Sequence, residues 1–224
     1  MEQQFQYYAF ISYKREDEKW AKWLQDRLRW YKLPSKLCRQ ITRLPKKVWP
    51  VFRDNTDLDS GRLEENIRHE LERSHYLIVI CSPEAARSPW VGKEVKYFAT
   101  LHGADKIIPF VVSGIPYSND IETECIHEQI KAISQEELLA INVREEGIGS
   151  FAMKKKRAFI RVVARLLDIK FNTLWQPYER ILRIRKWSTG IGVVLFLFVL
   201  FILWDYYRTK NEYFADYVDR WGIP

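Results

Sequence analysis

At 224 residues, 47% hydrophobic and 29% charged, the chain has material for one ordinary folded domain with length to spare; collagen-like, mucin-like, disordered and low-complexity classes are excluded. Three widely spaced cysteines, Cys38, Cys81 and Cys125, with no Cys-x-x-Cys pair, argue against a zinc ribbon or disulfide scaffold and fit reduced thiols in a cytosol. The net charge of +7 is uneven: residues 205–224 hold four acidic and three basic side chains, so they carry −1 and the rest +8, a balance that points to a nucleic acid, a membrane surface or an acidic ligand.

In chain order, Tyr7–Tyr13 reads as a buried strand rich in aromatics. Glu16–Tyr31 places Trp20, Trp23, Leu24, Leu28 and Tyr31 at helical spacing. A basic connector follows over residues 32–47, with two Leu-Pro pairs. Val48–Phe52 is a second short strand, Arg53–Gly61 a polar loop, and Arg62–Ser74 a helix with Leu63, Ile67 and Leu71 one turn apart. Tyr76–Cys81 is apolar throughout and so buried on both faces. Ser82-Pro83 starts a helical region running to Leu101, and Ile107–Val112 is a fourth strand, broken by Gly114 and Pro116. A helix over Ile126–Ile133, a weak strand over Leu139–Val143 and a basic helix over Met153–Ile169 complete the pattern. Lys154–Lys156, Arg157, Arg161 and Arg165 on that last helix match no recognition motif, so no nucleic-acid partner is expected; the surface is membrane-facing or solvated.

Leu174, Trp175, Tyr178, Ile181, Leu182 and Arg185 form an amphipathic approach, either an interfacial helix or an oligomer contact. From Trp187 to Trp204 runs an uncharged stretch of 18 residues, about 27 Å as a helix at about 1.5 Å per residue, against a bilayer core of about 30 Å. Trp187, Trp204, Tyr206 and Tyr207 make aromatic belts. Arg180, Arg183, Arg185 and Lys186 precede the span and outweigh the cations after it, which keeps the N-terminal part in the cytoplasm. The expected organisation is a domain at 1–168, a juxtamembrane amphipathic basic segment at 169–186, a transmembrane helix at 187–204 and an extracytoplasmic tail at 205–224. That tail stops at Trp-Gly-Ile-Pro with no closing element, as in a longer chain cut short.

Alternation of such strands with helices means an α/β fold: a parallel sheet covered on both faces, with ligands beyond the carboxyl ends of the strands. Those ends carry no GxxxxGK[ST], no GxGxxG and no GxSxG. The four histidines form no i, i+4 ligand pair, so no metal is expected. What remains is Lys14 and Arg15 as cationic donors, Tyr13, Phe52 and Trp90 as flat surfaces, and Glu94 one helical turn beyond Trp90. A carboxylate beside an indole suits a cationic ring and a developing positive charge. The same pattern also describes a solvated glutamate on an amphipathic helix.

Four motifs, FISYKR (Phe10–Arg15), VFRD (Val51–Asp54), DLDSG (Asp57–Gly61) and SPWVGKE (Ser88–Glu94), fall in an order and spacing that resemble the TIR (Toll/interleukin-1 receptor) domain. The resemblance is closest to its NAD-cleaving branch, in bacterial proteins and the animal axon-degeneration enzyme, and covers about Tyr7 to Leu167. It implies a flavodoxin-like fold with five parallel strands. It makes Glu94 the catalytic glutamate, with Trp90 before it, puts the segment with Phe10, Ser12 and Tyr13 at the NAD pocket and Arg15 where the family often carries a basic residue. Phe52, as a flat surface at a strand end, is expected to join them in binding the substrate. The loop with Arg53, Asp57, Leu58, Asp59 and Gly61 would reach a neighbouring subunit.

The implied partners are NAD+, other TIR domains and the lipid bilayer, with no cofactor beyond NAD+ as substrate. The implied activity is cleavage of the nicotinamide–ribose bond on self-assembly, yielding ADP-ribose, a cyclic form or a conjugate. The setting would be antiphage defence or signalling at a bacterial inner membrane, in a single-pass protein. The alternative is a non-catalytic TIR scaffold for protein–protein signalling, which would need the loop but not Glu94. One departure is the long basic connector, which similar bacterial chains share. Such chains continue past the span into a sensing or repeat region, which is missing here.

Overall fold

The computed structural model describes residues 5–41, 44–45, 47–53, 61–133, 139–144 and 149–221. Aromatic and β-branched residues draw Tyr7–Ser12 into strand β1, with its last four residues buried. The other strands are β2 (Val51–Arg53), β3 (Ser74–Cys81), β4 (Ile107–Val111) and β5 (Ile141–Asn142). All pair in parallel, in the order β2-β1-β3-β4-β5. This is the expected flavodoxin-like sheet, and its strand order reverses at β1. β4 is buried along its whole length and β3 at all but one residue, because helices cover both faces.

The helices are α1 (Glu18–Trp30), α2 (Ser35–Gln40), α3 (Gly61–Glu72), α4 (Pro83–Ala86), α5 (Pro89–His102), α6 (Glu128–Ile133), α7 (Phe151–Leu166) and α8 (Phe171–Trp221). On one face of the sheet, Phe10, Leu77, Val79 and Val111 join Ile67 and Leu71 of α3, Val91, Val95 and Phe98 of α5, and Ile130 of α6 in one core cluster. On the other, Trp23 of α1 stacks on Phe110 at 6.4 Å and meets Phe159 of α7 edge-on. Three cations of the basic helix α7 turn onto aromatic rings of the same unit. Lys155 lies 4.2 Å over Trp23, and Arg157 and Arg161 lie over Phe171.

Several expected boundaries move by a few residues, and three of the differences have a clear local reason. The helical region drawn from Ser82 to Leu101 is two helices, because Pro89 forces Ser88 into an extended conformation and then serves as the first residue of α5. β2 begins at Val51 rather than Val48, since Pro50 has no N–H to give the ladder, although its carbonyl still accepts from Tyr8. α5 ends at His102, one residue past the expected Leu101, and is capped by Gly103, whose φ of 85° suits a residue without a Cβ.

The chain divides into two units, Met1–Leu174 and Trp175–Pro224. The segments expected as an amphipathic approach, a span and a tail share one backbone helix, α8. Among the described residues one helix is long and apolar enough to cross a membrane, over Ile191–Lys210, with none of that window buried. The first four residues of the expected span, 187–190, lie outside the residues whose side chains are described.

Candidate active site

β1 ends at Ser12, at the point where the strand order reverses and the flanking crossovers leave a crevice. Alternation along the strand turns Ser12 to the same face as Phe10, the face covered by α3 and α5. There the Ser12 hydroxyl donates to Glu94 Oε2 at 2.5 Å. Glu94 is half-buried on α5. Trp90, one turn earlier, is 43% exposed. Both line a cleft of about 290 Å³ between α3 and α5, with Ile67, Arg68 and Leu71 opposite and Tyr97 further along. The chemistry available is a carboxylate fixed in direction by a buried hydroxyl, beside an indole face and a cationic rim.

The structure thus brings together Ser12, Trp90 and Glu94 of the residues expected at the pocket. Phe10 requires a correction. It is fully buried, stacked on Phe52 at 5.2 Å, and belongs to the core cluster beneath the cleft, so it has no surface to offer a ligand. Its parity with Ser12 puts it on the right face but one residue pair too deep. Phe52 is half-buried between Phe10 and Tyr7.

Tyr13 and Arg53 turn to α1. The Arg53 guanidinium donates to the Tyr13 hydroxyl at 3.0 Å, to Gln25 at 3.1 Å and to Glu18 at 3.2 Å, with only 8% of its side chain exposed. Arg15 is exposed in the short 3-10 turn Arg15–Asp17 after β1. Asp57, Leu58 and Asp59 lie outside the described residues, and Gly61 opens α3. Among the described residues, no three His, Cys, Asp or Glu side chains converge as a metal would need.

Sequence reasoning missed four groups near this edge. Arg68 and Tyr97 line the cleft, and Tyr97 could have been found three residues beyond Glu94 on one helix face. Asp17 is buried and accepts from Ser82 Oγ at 2.5 Å, while Ser82 caps α4 by accepting from Ala85 N–H. Burial pushes the Asp17 carboxyl up, against the lowering effect of that bond.

The fourth is His127, whose Nδ1 accepts the Gln129 N–H at 3.0 Å. Its ring lies so close to Gly92 of α5 that a Cβ there would come within 2.5 Å of it. Glycine at 92 therefore lets α5, which carries Trp90 and Glu94, seat against the segment before α6. Arg87, Glu124, Glu128 and Lys131 surround His127 in a second cleft of about 530 Å³.

Burial holds His75, His102 and His127 all below the ordinary 6.5. The unfolded chain therefore takes up these protons more readily. Stability is unaffected above 6.5 and falls as pH drops through 6.5 towards the lowered values. Asp17 works oppositely and in a lower window. Its charged form costs stability at neutral pH, and that cost is relieved as pH falls through its raised value towards 3.8. The melting temperature is expected to fall between pH 7.5 and 5.5, and His127→Gln to flatten that fall. An identical pH slope in the variant would remove His127 from the effect.

A family model described as the TIR domain matches residues 9–146, more than half of the chain. A curated protein of Actinoplanes sp. named NAD(+) hydrolase ApTIR is 36% identical over 110 residues, which are 48% of this chain and 14% of that protein's length. Among solved structures, the TIR domains of the activated Roq1 resistosome recognizing the pathogen effector XopQ align with a TM-score of 0.46 and 14% identity, over 69% of this chain and 98% of theirs.

Proposed function

We propose that this chain, which belongs to the TIR domain family, is a membrane-tethered NAD+ nucleosidase that cleaves the nicotinamide–ribose bond when copies assemble. The observation that carries this reading is the Ser12–Glu94 hydrogen bond at the strand-order reversal, in a cleft walled by Trp90. The relative named NAD(+) hydrolase supports the reaction class. The setting proposed on the resemblance is bacterial antiphage defence or signalling.

The mechanism follows from the charges. In NAD+ the nicotinamide ring is cationic, and its N-glycosidic bond breaks with the electron pair going to the ring nitrogen. Nicotinamide leaves neutral, so no general acid is required. The positive charge passes to the ribosyl carbon as an oxocarbenium-like centre, as in other glycoside cleavages. Glu94, held by Ser12, stabilises that cation and accepts from the ribose hydroxyls. Trp90 offers its face to the cationic ring before cleavage. Water then adds to the ribosyl carbon and releases one proton, giving ADP-ribose; capture by a hydroxyl or ring nitrogen of the substrate would give a cyclic product instead.

The test is to reconstitute the full chain in lipid vesicles, supply NAD+ and follow nicotinamide by chromatography. No release at any protein density would leave the scaffold function. Activity is further expected to depend on density. The loop at 53–61 completes a neighbour's pocket by resemblance, and a membrane tether confines the domains in two dimensions. Diluting the chain a hundredfold in lipid should lower specific activity by about tenfold or more. Constant specific activity over that range would count against assembly.

A further inference from the structure

The α3–α5 groove extends beyond Glu94, and its far end resembles its near end. Trp90, Glu94 and Tyr97 follow one another on one face of α5 at spacings of four and three. The two rings are thus about 10.5 Å apart along the helix, at about 1.5 Å per residue, with the carboxylate between them. Each ring carries a cation. Lys93 Nζ lies 4.7 Å from the Trp90 ring centre, and the Arg68 guanidinium 5.5 Å from that of Tyr97. Tyr97 is held in place, since its hydroxyl donates to Glu72 at 2.5 Å and its ring packs on the core cluster. Among the described residues, Arg68, Lys93 and Lys96 line the groove with one carboxylate, Glu94, while Glu72 stands at its Tyr97 end with an oxygen engaged by the tyrosine hydroxyl.

We propose that this groove binds both halves of a dinucleotide, with Tyr97 as the stacking platform for the base remote from the scissile bond and Arg68 and Lys96 as the cations that hold the diphosphate. The proposal rests on the nucleosidase reading and deepens it. A ligand that fits two flat surfaces separated by a cationic stretch has two planar ends and an anionic middle. The direction is set by charge. The nicotinamide ring is itself a cation and takes the Trp90 face beside Glu94 in place of the Lys93 ammonium. Adenine is neutral and gains only from stacking, which Tyr97 supplies at the other end. The diphosphate then lies among the cations, where a guanidinium is a directional donor. Tyr97 and Arg68 are on this account specificity-determining residues that act in binding and not in bond cleavage.

The test uses ADP-ribose, which carries the adenosine diphosphate half and has no scissile nicotinamide bond. Its binding to the full chain in vesicles is measured by calorimetry, beside KM and kcat for NAD+. Tyr97→Ala is expected to weaken ADP-ribose binding about tenfold or more and to raise KM for NAD+ by the same factor, with kcat within about twofold. Tyr97→Phe keeps the ring face and should bind within about twofold of the parent.

Arg68→Gln alters an exposed side chain, and so leaves the fold in place if Tyr97→Ala does not fold. It should weaken ADP-ribose binding several-fold. ADP-ribose binding that is unchanged in Tyr97→Ala, or in Arg68→Gln, overturns the proposal, as does a fall in kcat without a change in KM. If the parent chain cleaves no NAD+ yet binds ADP-ribose in a Tyr97-dependent way, the nucleosidase reading falls and this site stands. If it cleaves NAD+ while Tyr97→Ala leaves both binding and KM untouched, the reverse holds.

Discussion

Glu94→Gln is expected to lower nicotinamide release by at least about 100-fold while leaving the fold intact, because one preorganised electrostatic contact in a site of this kind is worth about 10²–10³ in rate. The substitution is nearly isosteric. The amide oxygen still accepts the Ser12 hydroxyl that Oε2 accepts now, so the side chain keeps its direction and loses only its charge. That charge is what a ribosyl cation requires. Stability should change little, since Glu94 is half-buried at the cleft and not part of the apolar core.

Ser12→Ala makes the complementary change. It keeps the carboxylate but removes the buried donor that aims it, so the expected loss is smaller, roughly tenfold. Nicotinamide release and thermal melts of the three chains, side by side, decide the matter. Undiminished turnover in Glu94→Gln would end its catalytic role, and a melt far below the parent's would reassign the loss to the fold.

The parts of this arrangement that the sequence makes legible are those set by short-range pattern. Tyr76–Cys81 of β3 and the whole of β4 are unbroken apolar runs, as a sheet covered on both faces needs. The pairing of Trp90 with Glu94 follows from helical periodicity, and Ser12 from its place at the end of β1. What the sequence hides is depth and long-range partnership. Phe10 and Ser12 share a face, but only the sheet and its covering helices determine that one is core and the other reaches Glu94. Arg53 sits at the end of a strand beside a polar loop, and so reads as a loop residue. Its fork is instead spent on Tyr13, Gln25 and Glu18. His127 and Gly92 are 35 positions apart, and no local signal joins them. Arg68 likewise meets Tyr97 across two helices.

An impermeant maleimide should label Tyr213→Cys in intact cells and should label Asp105→Cys only after lysis, an all-or-none contrast that rests on the charges flanking the apolar stretch within α8. Arg180, Arg183, Arg185 and Lys186 lie within seven positions before the apolar stretch. After it, Asp205 comes first, then Arg208 and Lys210. On the positive-inside bias, residues 1–186 are expected in the cytoplasm.

An Arg or Lys at the centre of a spanning helix costs about 2.5–3.5 kcal/mol. The candidate window Ile191–Lys210 must then have Arg208 and Lys210 at its outer end, where long side chains reach the interface. Tyr213 is nine residues past Trp204 on the same helix, about 13.5 Å at about 1.5 Å per residue, and so clear of the hydrocarbon. The native cysteines make a weak control by themselves. Cys81 and Cys125 are buried and silent on either side, which leaves half-buried Cys38. The Asp105 side chain is 73% exposed, and a thiol there reports the compartment of the whole domain. Labelling of Asp105→Cys in intact cells, with Tyr213→Cys protected, would invert the topology. Release of the intact chain by carbonate would show that α8 does not span the bilayer, since a helix with its apolar residues in hydrocarbon is not extracted by a change of pH or charge.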